Sequence, residues 1–396
     1  MSAKRFAQGC VEVIILLILV MPVANAQLAS SFAAITYGRN VTGPEGEAAH
    51  NAPRSQLKTI RQHLDELRLL GSPTVPAAQV VGVNAQALPS VDSLAAASDG
   101  SGRKAETGGG AAADKPDSFA RWGAFVNGNV EIGRRSTTDE QPGFKTTTKG
   151  VTVGADYRFP NNNVLGAAVA FPKADTDLDD GRGNQTAKGY GFSVFGSYVP
   201  IKNAYIDGIL NLGHNKYDTQ RQQILGGFAT SHTNGNQLGL AVSAGYEFNR
   251  GPLALTPFAR VEYIDAKVSG FEESGNSQEA LSISEQRIKA TTLTVGGQAS
   301  YALSTSWGVL MPNARIELQH VADRNIKDVT ALIPGDPTVL PGTIPILGED
   351  RTFGTFALGL SAVFPRGVSG FFNYEQLFGK DNFSDRHYTL GVRIEF

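Results

Sequence analysis

His387-Tyr388-Thr389-Leu390-Gly391-Val392-Arg393-Ile394-Glu395-Phe396 is the stretch that decides the fold. Tyr388, Leu390, Val392, Ile394 and Phe396 share one parity, and Thr389, Gly391, Arg393 and Glu395 share the other. Successive side chains on a strand point to opposite faces, so this stretch reads as a strand with one apolar and one polar side. The same alternation recurs upstream. Trp122, Ala124, Val126, Val130 and Ile132 alternate with Gly123, Asn127, Asn129 and Glu131. Val151, Val153, Ala155, Tyr157 and Phe159 alternate with Thr152, Gly154, Asp156 and Arg158. Leu238 to Phe248 and Phe356 to Phe364 repeat it, while Leu293 to Tyr301 and Leu310 to Leu318 are noisier.

Twelve such segments begin near residues 120, 146, 163, 187, 203, 233, 253, 287, 307, 351, 368 and 385. Short connections rich in Pro, Asn, Gly or Ser (Pro160 to Asn163, Pro200 to Asn203, Asn249 to Pro252, Leu303 to Ser306, Pro365 to Gly367) alternate with long polar ones. Among the long ones are Lys173 to Lys188, Gly270 to Glu285 and the proline-rich Asp323 to Arg351. A soluble β-sandwich or lipocalin-like barrel would also alternate. Strands of about ten residues or more, an even count and the short/long rhythm favour a barrel standing in a membrane. Charges of both signs fall on the polar parity in mid-strand: Glu131, Asp156, Arg158, Asp207, Glu247, Arg260, Glu262, Arg315, Glu317, Glu375, Arg393 and Glu395. They are expected to form a polar network across a wet lumen.

The N-terminal end carries an address. Lys4 and Arg5 precede an apolar run from about Val13 to Val20, and Ala24-Asn25-Ala26 is a small-residue cleavage site before Gln27. Cys10, the single cysteine, would leave with that signal, so neither disulfides nor a thiolate are expected in the mature protein. Beyond it no apolar run of about 18 residues occurs, so a membrane protein of this sequence must cross as a barrel. With 35 Lys+Arg against 37 Asp+Glu, no basic excess points to nucleic acid.

Residues 27–117 form a separate, mostly irregular region with one helix near residues 53–70. Pro53 stands at its first turn, Leu57, Ile60, Leu64 and Leu67 repeat at helical spacing, and Gly71 and Pro73 stop it. A short amphipathic helix packing on whatever is near is the favoured reading over a plug or self-association helix. Ser72 to Pro116 has linker composition.

The region from about Phe119 to Phe396, about 70% of the chain, resembles the C-terminal translocator domain of type V autotransporters. Three stretches carry the resemblance: Gly296 to Tyr301 with Pro312 to Glu317 and His320, then Gly370 to Glu375, then His387 to Phe396. It implies a twelve-stranded barrel that carries an N-terminal passenger outward, and a last strand (Tyr388, Leu390, Val392, Ile394, Phe396) that serves as an assembly signal. Two features depart from the family. The passenger is only about ninety residues with no repeat. A long pore helix before the first strand is also not expected, since Pro116 and three glycines precede Phe119; a short one would lie between Ser90 and Ala97. No Asn pair lies between Ser72 and Ser118, so no autocleavage residues carry over.

Catalytic and metal chemistry find little support. Asp175, Asp177, Asp179 and Asp180 recur like a calcium loop, but Gly181 and Thr186 are wrong for one, and an acidic surface loop is expected. The six histidines have no ligand spacing, and no G-x-S-x-G elbow occurs. The expectation is an all-β, 12-stranded antiparallel transmembrane barrel (residues 118–396) behind a signal peptide (1–26), in a bacterial outer membrane, without enzyme activity or cofactor. It would export or display its short N-terminal region; the alternative is a stand-alone adhesin or pore acting through its long loops. Expected partners are outer-membrane lipid and lipopolysaccharide, the barrel-assembly machinery and the Sec translocon, with a monomeric barrel and no nucleic acid.

Overall fold

A computed structural model describes residues 23–71 and 122–396, apart from 139–141, 224, 277–278, 335–341 and 345–349. Among the described residues twelve long strands form one closed antiparallel barrel. They are β1 (Trp122–Arg135), β2 (Phe144–Arg158), β3 (Val164–Leu178), β4 (Gly183–Tyr198), β5 (Ala204–Gln222) and β6 (Phe228–Tyr246). The second half comprises β7 (Leu253–Val268), β8 (Gln286–Tyr301), β9 (Gly308–Ile326), β10 (Thr352–Phe364), β11 (Val368–Phe378) and β12 (Phe383–Glu395). Each strand pairs with its chain neighbours, and β12 returns to β1 with Val392 opposite Val126. The amide of Phe396 donates to the Trp122 carbonyl at 2.9 Å, which extends the seam to its end. Among the described residues no helix is long and apolar enough to cross a membrane.

The alternation of the sequence becomes inside and outside. Val126, Val153, Phe192, Leu212, Val242, Leu318 and Leu390 are exposed on the outer surface, while Asn127, Thr152, Ser193, Asn211 and Arg393 are buried toward the lumen. An exposed apolar belt around a polar interior is what hydrocarbon outside and water inside select. The short connections turn tightly: Asn162 and Asn203 adopt φ of 63° and 69°, a left-handed geometry that asparagine tolerates better than most residues. By the same asymmetry these turns mark the periplasmic end.

At the other end the structure differs from the loops expected. Strands run up to 19 residues, against the ~9–11 that a tilted strand needs to cross, so the sheet continues beyond the lipid. Asp175 and Asp177 lie on β3 rather than in a loop, and only Asp179–Gly181 forms the turn. The connections after β7 and β9 are likewise structured. Short strands Phe271–Glu272, Ser282–Ile283, Val329–Leu332 and Gly342–Ile344 form a second small sheet over the mouth, around Leu281, Ile283, Val329, Ala331, Ile333 and Ile344. Arg221 ties it down, bonding Glu273 at 2.6 and 3.0 Å and the Glu279 carbonyl at 2.7 Å.

The N-terminal region corrects the reading most. The helix expected near residues 53–70 is α1, Val23–Gly71, 49 residues long, and at 1.5 Å per residue about 73 Å in length. From Thr42 to Leu69 it occupies the lumen, so the pore helix that the composition before Phe119 disfavoured is supplied from further upstream. Residues 1–22 and 72–121, including most of the signal, the linker and Ser90 to Ala97, lie outside the described residues. Ala24 and Ala26 fall in the first turn of α1.

Candidate functional site

The site is the space between α1 and the barrel wall. Four side chains of α1 (Leu57, Ile60, Leu64 and Leu67) form one core with Phe125, Val164, Ala168, Phe195, Ile209 and Ala241 of β1 and β3 to β6. Glycine on the facing strand lets the aromatic rings lie against the wall: a Cβ on Gly154 would strike the Phe125 ring, and one on Gly166 the Phe195 ring. Room for a helix is thereby left in the lumen. His63, 1% exposed, stacks on Phe125 with ring centroids 3.7 Å apart. Its Nε2 lies 3.0 Å from Asp156, which also accepts from Arg393 at 2.6 and 3.1 Å.

The neighbouring face of α1 is charged. Lys58 pairs with Glu375 at 3.0 Å, and Arg61 reaches Glu317 at 3.2 Å and Glu375 at 3.3 Å. Asp65 accepts from Arg315 at 2.6 Å. Arg68 bonds Asp207 at 2.7 Å and lies 3.4 Å from the centre of the Tyr205 ring. Behind these contacts the wall is already paired, with Arg260 on Glu317 at 2.7 Å and on Glu262 at 2.6 Å. Glu66 accepts from the Ser361 hydroxyl at 2.6 Å. Buried charges need partners of this kind, because a lone ion removed from water is costly.

The contacts fix the direction of α1. Its last turn lies at the short-turn end, where Arg158 donates to the Leu67 carbonyl at 3.1 Å and Leu69 packs with Val309, Met311 and Val363. Arg158 thus ties the last turns of α1 to β2. The opposite part lies at the mouth: Glu47 pairs with Arg135 at 3.2 Å and Gln286 donates to the Thr42 carbonyl. A Cβ on Gly38 would strike Ile344 of the small sheet. Of the larger spaces beside α1, one of about 310 Å³ lies near the short turns between Leu64, Arg158, Tyr205 and Glu247.

Of the twelve charged residues singled out from parity, Asp207 and Glu375 meet the α1 cations as described, and the other ten fall into separate places. Arg260, Glu262, Arg315 and Glu317 share one network. Asp156, Arg393 and Glu395 form a second, Arg393 bonding both carboxylates. Glu131 faces His387 at 3.1 Å, Glu247 accepts from Asn249, and Arg158 bonds the Leu67 carbonyl of α1. The sequence reading missed Lys58, Arg61, His63, Asp65, Glu66 and Arg68; the cue was available, since 58, 61, 65 and 68 recur at helical spacing beside the leucines. Leu390, Val392, Ile394 and Phe396 face outward and are exposed, and Tyr388 lies half-buried against Tyr374. Asp179 accepts from Arg134 and Thr137, and among the described residues no group of three His, Cys, Asp or Glu could hold a metal ion.

Comparison with known proteins agrees with this architecture. The family model "Autotransporter beta-domain" matches residues 122–375. Outer membrane protein B of Rickettsia conorii is 26% identical over 338 residues, covering 80% of this chain and 18% of the relative. A probable autotransporter of Escherichia coli, YpjA, is 26% identical over 212 residues, covering 52% of this chain and 13% of the relative. The chain therefore spans less than a fifth of the length of these curated relatives. The translocator domain of autotransporter NalP from Neisseria meningitidis superposes with a TM-score of 0.59 at 16% identity, covering 77% of this chain and 93% of that one. The β-domain of the Bordetella autotransporter BrkA does so at 0.55 and 16%, covering 70% and 100%.

Proposed function

Because this chain belongs to the autotransporter β-domain family and is an outer-membrane barrel, we propose that it carries its own N-terminal end to the cell surface and then seals the route with α1. The polarity of α1 carries the reading. Thr42 and Glu47 sit at the mouth and Leu67 to Leu69 at the periplasmic end, so the N-terminal end of α1, where the mature chain would begin at Gln27, leads to the outer side. Gly71 and Trp122 both lie at the periplasmic end. The segment between them therefore starts and finishes there, and the exported part is the upstream end rather than the whole of residues 27–117.

The chemistry asked of the lumen is passive. A polar, mixed-charge wall offers partners to the amides of a passing chain, which would otherwise be desolvated. Once α1 is seated, its leucines and its ion pairs fill the passage. That filling favours a sealed translocator over the pore reading, and catalysis has no place in the proposal. Tyr388 to Phe396, aligned along the outer face of the seam, would be presented to the barrel-assembly machinery.

The test is a pair of epitopes in the full chain on intact cells. A tag inserted after Gln27 is expected to be protease-accessible, and a tag at residue 85 protected until the outer membrane is permeabilised. The reverse pattern would overturn the proposed direction of export.

A further inference from the structure

The barrel's outer surface carries a row of cations that strand register alone assembles. Lys149 on β2 is opposite Lys173 on β3, Lys173 is opposite Lys188 on β4, and Lys188 is opposite Lys216 on β5. All four are exposed and share the outward parity of Val151, Phe171, Tyr190 and Leu212, which are exposed too. Three strand spacings separate the first from the last, about 14 Å. On each strand the lysine is the first charged outward residue after the apolar run that begins at the short turn. The row therefore follows the outer border of the lipid belt, on the side of the outer leaflet.

Like charges directly opposite one another on a sheet destabilise it, so four abreast call for counter-charge. Lys173 has Asp175 at 2.8 Å. Lys149, Lys188 and Lys216 have no carboxylate within ion-pair distance among the described residues. The outward cations of β7 and β8 are treated differently. Lys267 reaches Glu285 at 2.7 Å, and Arg287 and Lys289 reach Asp265 at 2.6 and 3.9 Å. In one sector of the rim each of these cations thus has a carboxylate partner, and in the other Asp175 alone faces Lys173 and, at longer range, Lys149.

We propose that Lys149, Lys173, Lys188 and Lys216 form a binding site for the phosphate groups of the outer-leaflet glycolipid, lipopolysaccharide, whose acyl chains would lie against Val151, Phe171 and Tyr190. Ammonium groups recognise phosphate as point charges, and the apolar residues below the row select an anion that carries chains. The proposal rests on the outer-membrane placement, which the epitope at Gln27 tests separately.

The experiment uses the full chain folded in neutral detergent, with diphosphoryl lipid A in mixed micelles as the probe. Removing all four charges (K149Q, K173Q, K188Q, K216Q) is expected to weaken binding by about fivefold per lysine. Replacing the same four by arginine should retain it, and K267Q with K289Q should leave it unchanged. Dephosphorylated lipid A and free inorganic phosphate are expected to bind far more weakly than the probe. Equal binding by the glutamine variant overturns the site; equal binding of dephosphorylated lipid A, or of phosphatidylglycerol vesicles, overturns its ligand. Heat-modifiable gel mobility reports folding of each variant. Should the fourfold variant misfold, K188Q and K216Q singly must still show graded losses, and their absence overturns the proposal as well.

Discussion

Within the lumen α1 meets two kinds of wall. Its leucine side rests on Phe125, Phe195, Ile209 and Ala241, where the energy follows apolar area removed from water. Its charged side rests on Glu317, Glu375, Arg315 and Asp207, where attraction is offset by lost hydration. The difference separates affinity from registry. An apolar stripe could slide by a turn at modest cost, whereas Lys58, Arg61, Asp65 and Arg68 find their partners at one depth and one rotation only. The leucines hold the helix in the barrel; the charges say where.

The largest expected effect comes from removing a shared carboxylate. Glu317→Ala would leave Arg61, Arg260 and Arg315 without their common partner, at a cost of about 4 kcal/mol. Denaturant unfolding of the detergent-folded chain would read it, and a loss below about 1 kcal/mol would break the assignment of registry to this wall. Glu317→Gln, which keeps the size and an acceptor oxygen for the surrounding guanidinium groups, should cost less than Glu317→Ala.

Leu64→Ala tests the other wall. Its side chain is 1% exposed, and truncation should cost about 3 kcal/mol, with planar-bilayer conductance rising as the packing loosens. A charge-face phenotype from this variant, such as altered salt dependence of unfolding, would blur the distinction. Arg68→Ala, which removes the bond to Asp207 and the stacking on Tyr205, should cost about 2 kcal/mol and act at the periplasmic end. Gly46→Ala should be close to neutral. It gains about 1 kcal/mol of helix propensity and displaces the flexible amide of Gln286. A strong loss there would show that the mouth, too, fixes the helix.

The barrel was legible because lipid and lumen select residues at period 2, and Tyr388 to Phe396 or Val151 to Phe159 display that period without help from tertiary context. The upper half of α1 was not. Gly38, Gly43, Pro44, Gly46 and Pro53 all argue against a helix locally, and the contacts of the mouth with Gly38, Thr42 and Glu47 accompany it there. Asp175 and Asp177 looked like a loop because strand above the lipid belt has no apolar face to betray it. The lysine row was invisible for another reason: its members are 67 residues apart from first to last, and only register makes them neighbours.

The paired wall behind α1 has a consequence for the order of events. Glu317 holds Arg260 and Arg315, and Glu375 lies 3.5 Å from Arg315, through contacts that do not involve the helix. The cylinder can therefore close around an empty passage without stranding these charges, and the plug arrives as a late guest that extends an existing circuit. Occupancy of the passage is then a separable event from its construction, with its own timing.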